Sequence, residues 1–135
     1  MGNRRKAREC GLQILYQIDF TSRKLQEVAT VYWTDHPEVE EVATYCHSLL
    51  EGTLRNLPEI DMIIEEASTN WKMSRMAAVD RNILRQATYE LIYQTDIPAS
   101  VIINEAIEIS KKYGTEESPS FINGILDKIA KIKRL

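Results

Sequence analysis

The stretch that decides the fold is residues 71–93, WKMSRMAAVDRNILRQATYELIY. From Met76 onward it has no glycine or proline and is rich in good helix formers. Its apolar residues recur at helical spacing: Val79, Ile83, Leu84, Ala87, Leu91 and Ile92. A helix that is apolar over more than half of its circumference has to be covered on several sides. We therefore predict a central helix here, with Ser74 as its N-cap and Asp80 near the positive end of its dipole.

Few charged residues interrupt this predicted helix, and their environment bears on function. We expect structural roles for Arg85 and Glu90, and for Glu105 in a later segment. Long charged side chains on mostly apolar helices are usually paired, and a buried carboxylate–guanidinium link would fix the register of two helices.

The other segments also show helical periodicity. We predict helices over residues 4–20, 22–32, 37–55, 58–67 and 98–113, and a last one from 118 to the end. The run Ser68-Thr69-Asn70 ends the fourth helix, and Val39 and Val101 are counted among the buried positions. No segment alternates with period two, so the predicted fold class is all-α with roughly seven helices.

Particular residues are expected to start and stop these helices. Pro37 and Pro58 suit a first helical turn, Ser118 suits an N-cap, and Gly114 suits the left-handed position after a helix.

Length and composition indicate one compact globular domain over residues 1–135, because 44% of the residues are hydrophobic and 27% are charged. No apolar run is long enough to cross a membrane, and the basic start lacks the apolar core of a signal peptide. We therefore expect a cytoplasmic protein without a membrane partner. Cys10 and Cys46 are the only cysteines, and buried reduced thiols are favoured over a disulfide.

Charge is unevenly distributed along the chain, although the net charge is only −3. Four cations lie within five residues near the start, and we call them the basic segment: Arg4, Arg5, Lys6 and Arg8. A chain that is acidic overall but locally basic can hold a polyanion at a defined place. By contrast, residues 35–66 are mostly acidic where charged, and Asp61 is expected on a solvated helix face.

The basic segment continues into an amphipathic helix that carries Gln13, Tyr16 and Gln17. Cations suit phosphates, amides suit base edges, and a ring suits stacking, which together favour single-stranded RNA as a ligand. We expect Arg4, Arg5, Arg8 and Gln13 to lie away from the apolar side of this helix. The alternative is a frayed, solvated terminus without function.

Signals for catalysis and metal binding are weak. There is no glycine-rich phosphate loop, and no serine or cysteine has an identifiable base. His47 beside Cys46 is not a metal pair, because adjacent helical residues point about 100° apart. We predict no catalytic residue, no metal and no cofactor, and hence not an enzyme.

Four segments together resemble the NusB family of bacterial transcription antitermination factors: RRKARECGLQILYQID, WKMSRMAAVDRNILRQATYELIY, DIPASVIINEAIEISKKYGTEES and FINGILDKI. The resemblance implies two small packed helical bundles. It also implies binding to the boxA RNA of ribosomal RNA operon leaders and to NusE, a small-subunit ribosomal protein. With these partners the family joins the elongating RNA polymerase complex and suppresses termination.

The resemblance also implies roles for individual residues. The family's arginine-rich RNA-binding motif falls on the basic segment, with Lys6 in place of an arginine of some relatives. Further RNA-facing positions match Tyr16, Ser118 and Phe121. The expected protein-partner residues are Asp80, on the NusE-facing side, its neighbour Arg81, and Glu117, which lies beside the RNA site.

Several alternatives stay open. Asp80 could instead serve the helix dipole, and Phe121 could be a core residue. The same fold forms the RNA-binding part of some ribosomal RNA methyltransferases, but no methyl-donor domain follows Leu135, so we expect no methylation activity. A helical protein-interaction module without an RNA role is the third reading, and the free protein could be a monomer or a dimer that covers its own RNA site.

Overall fold

The computed structural model describes residues 2–69 and 71–134, and within them the chain forms seven α-helices and no strand. The helices are α1 Gly2–Thr21, α2 Leu25–Asp35, α3 Glu40–Arg55, α4 Leu57–Ala67, α5 Ala78–Tyr93, α6 Ala99–Tyr113 and α7 Ser118–Lys133. A 3-10 turn, Met73–Arg75, precedes α5. The predicted all-α fold class is confirmed. None of these helices combines the length and apolarity that crossing a membrane requires.

The helices pack as two bundles around two cores. The first core joins α1, α2 and α3 through buried residues that include Ala7, Cys10, Ile14, Leu15, Val28, Tyr32, Val42, Cys46 and Leu50. The second joins α4 to α7 and includes Ile60, Ile64, Ile83, Leu84, Leu91, Ile102, Ile122, Leu126 and Ile129. Leu12 on α1 belongs to the second core, so α1 reaches both. Helix α5 contacts α1, α3, α4, α6 and α7, which confirms its predicted central position.

Two predicted helix starts are wrong. Ser22 has a positive φ of 61°, so the chain turns there and α2 begins only at Leu25. Helix α3 begins at Glu40 rather than at Pro37. Ser68 and Thr69 follow α4 as predicted, whereas Asn70 lies outside the described residues.

Two apolar residues expected inside are exposed. Val39 precedes α3 and is 58% exposed, and Val101 lies in the first turn of α6 and is 43% exposed. Helix ends are less fully covered than helix centres, so the periodic pattern overestimates burial there.

The predicted caps of α5 and α6 are also wrong. Ser74 lies in the 3-10 turn, and the residue before α5 is Ala77, which makes no side-chain cap bond. Gly114 is extended, with φ −97° and ψ −161°, rather than left-handed. A Cβ at Gly114 would lie 2.9 Å from the Ser110 carbonyl oxygen and 2.8 Å from Cβ of Ser118, so close approach is what favours glycine there.

Charged side chains on α5 connect it to other helices. Arg85 is buried and donates two hydrogen bonds to Asp61 of α4, at 2.9 and 3.0 Å, and its Nη1 lies 3.4 Å from Asp19 of α1. Asp61 is therefore an ion-pair partner rather than a solvated residue, and the structural role predicted for Arg85 is confirmed. The pair fixes the register of α4 against α5.

Both cysteines are buried free thiols in the first core, as predicted. Burial raises the pKa of the Cys10 and Cys46 thiols, so neither forms a thiolate readily at neutral pH.

Replacement of Arg85 by alanine tests the α4–α5 link. Arg85→Ala leaves Asp61 without its buried cation, whereas Asp19 keeps its pair with Arg81, and we expect the free energy of unfolding in urea to fall by about 2–3 kcal/mol. This is less than for a fully buried pair, because Asp61 regains water. The control Lys131→Ala removes an exposed pair with Asp127 and should change stability by less than about 0.5 kcal/mol. Equal effects of the two variants would contradict the assigned role.

Candidate nucleic-acid interface

The first turns of α1 hold the basic segment against α3 and α6. Arg4 is exposed, and its guanidinium carbon lies 4.3 Å from the centroid of the Tyr45 ring. Arg5 donates two hydrogen bonds to Glu105 of α6, at 2.9 and 2.7 Å, and its side chain remains 43% exposed. Lys6 lies 3.7 Å from Glu38 and is 48% exposed. Three of the four predicted cations therefore reach solvent from adjacent helix positions.

Arg8 differs, since it is only 5% exposed. Its guanidinium donates to both carboxylate oxygens of Glu90 on α5, at 2.9 and 2.8 Å, and Tyr45 donates its hydroxyl to the same carboxylate at 2.8 Å. Burial by itself lowers the pKa of Arg8, but the bond and charge of Glu90 outweigh burial and raise it. Burial and the Glu90 charge raise the pKa of Tyr45 to about 12.

The expectation that Arg8 lies away from the packed side of α1 is therefore wrong. The physical reason is Glu90, a buried carboxylate on α5 that makes an inward-facing guanidinium favourable. The structural role predicted for Glu90 is confirmed.

Acidic side chains balance the exposed cations as well. The bond from Arg5 lowers the pKa of Glu105 below its ordinary 4.5, and Glu105 in turn raises the pKa of Arg5. Glu105 also lies 3.6 Å from Arg8. A phosphate that binds Arg5 thus meets an oriented guanidinium, but has to compete with an in-chain carboxylate.

A second group of polar residues lies between α1 and α6. Glu9 is buried and accepts hydrogen bonds from Lys112 at 3.0 Å and from the Tyr113 hydroxyl at 3.3 Å. Gln13 donates to the same hydroxyl at 3.4 Å, so it lies at the α1–α6 contact rather than free on the surface. Tyr16, one turn along α1, is 41% exposed and lines a shallow groove with Gln13 and Tyr113.

Lys112 does not pair with Glu108, although the two residues lie four positions apart on α6, and Glu108 accepts a hydrogen bond from Lys111 at 3.0 Å. Pairing with Glu9 holds the Lys112 ammonium beside α1, and the bond to Glu9 raises the pKa of Lys112.

A third group lies where α7 starts. Ser118 is 1% exposed; it donates its hydroxyl to Asp80 at 2.6 Å and accepts from the Thr115 N–H at 2.9 Å. It belongs to α7, and Glu117 precedes the helix, so Ser118 is not the N-cap that we expected. The Asp80–Ser118 bond connects the start of α5 to the start of α7.

Asp80 and Arg81 are both engaged within the chain. Asp80 is only 9% exposed, and Arg81 pairs with Asp19 at 2.8 Å and donates to the carbonyl oxygens of Met73 and Met76. Glu117, by contrast, is exposed. Of the three candidate partner residues, Glu117 is the one whose charge faces solvent.

Phe121 lies at the edge of the second core and is half-buried. Its ring meets that of Trp71 edge to face, with centroids 6.0 Å apart and planes at 80°. Both interpretations of Phe121, core residue and surface ring, therefore describe part of its environment.

Helix α6 joins these three groups. Glu105 on α6 contacts the basic segment, Lys112 contacts α1 farther along, and the short turn after α6 leads to Ser118 and Phe121. Seven residues of α-helix separate Glu105 from Lys112, which is about 10 Å. Sequence reasoning missed Tyr45, Lys112 and Trp71, since their neighbours come from distant parts of the chain.

No three histidine, cysteine or carboxylate side chains in the described part of the chain are grouped so that they could hold a metal ion. The ring nitrogen Nε2 of His47 accepts a hydrogen bond from the Trp33 indole at 2.9 Å.

Comparison with known proteins gives one family. Residues 5–131 match the NusB family model. The transcription antitermination protein NusB of Desulfatibacillum aliphaticivorans is 46% identical over 129 residues, which cover 96% of this chain and 90% of that protein. The NusB of Geobacter sulfurreducens is 47% identical over 131 residues, covering 96% and 95%.

Solved structures agree over nearly the whole chain. A structure of T. maritima NusB has a TM-score of 0.87 at 40% identity and covers 95% of this chain and 90% of its own. A crystal structure of the antitermination factors NusB and NusE in complex with dsRNA has a TM-score of 0.90 at 27% identity and covers 98% of both chains.

The pH dependence of unfolding tests the Arg5–Glu105 pair. Because the pKa of folded Glu105 lies below its ordinary 4.5, the pair stabilises the protein above that pH, and its contribution is lost as the pH falls through the folded pKa. Glu105→Gln should lower stability at pH 7 by about 1 kcal/mol, since Arg5 is partly exposed. The difference from the wild type should shrink as the pH falls below about 4.5.

The matched control is Glu108→Gln, which removes an exposed surface pair on the same helix. It should change stability by less than about 0.5 kcal/mol at pH 7. If urea titrations gave Glu105→Gln a deficit that did not vary with pH, the carboxylate would not be acting as an ionised partner.

Proposed function

The chain belongs to the NusB family, and we propose that it is a transcription antitermination factor that binds boxA-type single-stranded RNA together with NusE. In this role it joins the elongating RNA polymerase complex on ribosomal RNA operons. The observation that carries the proposal is the placement of Arg4, Arg5 and Lys6 on a helix that is packed into both cores. Support also comes from the related NusB that forms a complex with NusE and RNA.

The exposed cations of α1 supply the attraction for phosphates. Arg4, Arg5 and Lys6 occupy consecutive positions, so their side chains fan out from one turn of the helix and can meet successive phosphates. Arg8 has a different role in this proposal. Through Glu90 it holds the start of α1 against α5, so that the three exposed cations are presented at a defined place.

Aromatic rings near the cations supply stacking for unpaired bases. Tyr16 is the exposed ring on α1, and Phe121 is the half-exposed ring on α7. Stacking on such rings contributes about 1–3 kcal/mol per base and tolerates different bases. Gln13 and Ser118 keep their neighbours in position, since their polar groups are engaged with Tyr113 and Asp80.

The NusE-facing surface lies around the start of α5 in this proposal. Asp80 and Arg81 contribute by holding Ser118, Met73 and Met76 in place. Glu117 is exposed and offers its charge directly to a partner. The protein therefore acts by binding two partners rather than by catalysis.

Removal of the exposed cations tests RNA binding. The triple variant Arg4→Ala, Arg5→Ala, Lys6→Ala should lose most of its affinity for a boxA-like single strand, because three phosphate contacts are lost. For the wild type we expect log K to fall with log salt at a slope of about −2, from three contacts at roughly 0.7 each. Fluorescence anisotropy across a salt series, with and without purified NusE, measures both quantities.

The matched control is Lys128→Ala, Lys131→Ala, Lys133→Ala, which changes the net charge equally at exposed positions of α7. This control should keep nearly all of its RNA affinity. Equal loss in both triple variants would indicate general charge attraction only, and salt-independent binding would favour a protein-interaction module.

Charge reversal separates the partner-facing residue from the structural one. Glu117→Lys should weaken NusE association without changing the melting temperature, because Glu117 is exposed. Asp80→Lys should weaken association and also lower stability by about 1–3 kcal/mol, because the Ser118 hydroxyl loses its acceptor. Calorimetry of binding and of unfolding measures the two effects, and Asp127→Lys serves as the exposed control. A fully stable Asp80→Lys protein would contradict this division.

A further inference from the structure

We propose that Trp71, Phe121 and Arg75 form a binding site for one unstacked nucleobase and its phosphate. This inference rests on the RNA-binding function proposed above and names a site within it. It is based on the half-exposed indole of Trp71, which meets the Phe121 ring edge to face in a groove that Arg75 also lines.

The groove is formed by the segment before α5 and the first turn of α7. Trp71, Arg75, Met76, Glu117 and Phe121 line it. Trp71 is 50% exposed, whereas Met76 is only 5% exposed and supplies an apolar wall. Two rings meeting at 80° make a corner in which a flat base can stack on one ring and touch the edge of the other.

The backbone that carries Trp71 is fastened although it is not helical. Ser68 donates its hydroxyl to the Trp71 carbonyl oxygen at 2.8 Å. The following turn is held by the Met73 N–H, which donates to Glu65 at 2.8 Å, and by Arg81, which donates to the Met73 carbonyl oxygen at 3.0 Å. A ring held in place loses little conformational freedom when a ligand stacks on it.

The charges at the rim favour a base over a phosphate inside the groove. Glu117 is a solvent-facing carboxylate at this rim, so it repels a phosphate but can accept a hydrogen bond from an amino or imino group of a base edge. Arg75 is exposed and offers a guanidinium to the phosphate that follows the base. Together the two charges orient a nucleotide.

The groove adjoins the surface described above, since Val79 lines the groove of Tyr16 and the next residue, Asp80, lines this one. Asp80 also accepts the hydrogen bond of Ser118. Ser118 follows the short turn after α6, the helix that carries Lys112 near its end. An RNA strand that starts at the basic segment and passes Lys112 therefore reaches Trp71 at the far end. A protein partner's apolar side chain is the other occupant that such a groove fits, and the experiment separates the two.

The affinity arm uses Trp71→Ala and Trp71→Phe with a boxA-like single strand and a set of strands that each carry one abasic position. Trp71→Ala should weaken RNA binding by at least about fivefold, and Trp71→Phe by much less, since a ring face remains. One abasic position should weaken wild-type binding by a similar factor and have a clearly smaller effect on Trp71→Ala, in which only the contacts of the base with Phe121 and Glu117 remain to be lost. Tyr93→Ala removes a ring of comparable exposure on the opposite end of α5 and should bind RNA as the wild type does.

The fluorescence arm uses the fact that the chain has two tryptophans, Trp33 and Trp71. In Trp33→Phe the emission comes from Trp71 alone, and RNA should quench it and protect it from acrylamide. In Trp71→Phe the emission of half-buried Trp33 should be unchanged by RNA. If Trp33→Phe folds poorly, the difference between the wild type and Trp71→Phe gives the same signal.

The outcomes separate this inference from the proposed function. Normal RNA binding by Trp71→Ala, with additive abasic effects, overturns the base site and leaves the proposed function standing. Quenching of Trp71 by NusE but not by RNA also overturns it, in favour of a protein contact. Absence of RNA binding by the wild-type protein, with and without NusE, overturns the proposed function itself.

Discussion

The buried pair of Arg8 and Glu90 is the interaction on which the rest of the structure depends. Two opposite charges removed from water are costly unless each is paired and hydrogen-bonded, and here Tyr45 completes the coordination of the carboxylate. The three residues come from α1, α5 and α3, so one charge cluster joins helices of both cores. Arg134 fastens the same end of α5, since its guanidinium donates to the carbonyl oxygens of Leu91, Gln94 and Ile97.

This pair also explains why the four cations of the basic segment differ in role. Arg4 and Arg8 lie one helical turn apart on the same side of α1, and both guanidinium groups approach the ring of Tyr45, at 4.3 and 5.8 Å. The first is exposed and the second is buried. Tyr45 therefore connects the exposed Arg4 to the buried pair. Contact with this ring holds the exposed end of the basic segment in a defined position.

Much of the fold could be predicted from the sequence because helical periodicity reports burial directly. The apolar stripe of α5 predicted a central helix, and the scarcity of charge on it predicted that Arg85 and Glu90 would be paired. The partners of Arg85 and Glu90 could not be predicted. Asp61 and Arg8 lie in distant segments, and nothing in the local sequence of those segments indicates a contact with α5. Gly114 illustrates the same limit: its role depends on Ser110 and Ser118 in three dimensions, while a local rule assigned it a left-handed turn.

The candidate site shows what a residue-type pattern leaves out. A run such as RRKAR suggests four equivalent cations. In the structure, carboxylates from distant parts of the chain lie beside Arg5, Lys6 and Arg8, so these cations are not equivalent. Glu105 orients Arg5, Glu38 lies near Lys6, and Glu9 holds Lys112 beside α1. These carboxylates lower the attraction for a phosphate at Arg5, Lys6 or Lys112, because an RNA contact at any of these cations replaces an ion pair that already exists. High affinity for such a surface then requires an RNA strand that contacts several cations and stacks on the rings at the same time. Selectivity arises from this combined requirement rather than from net charge.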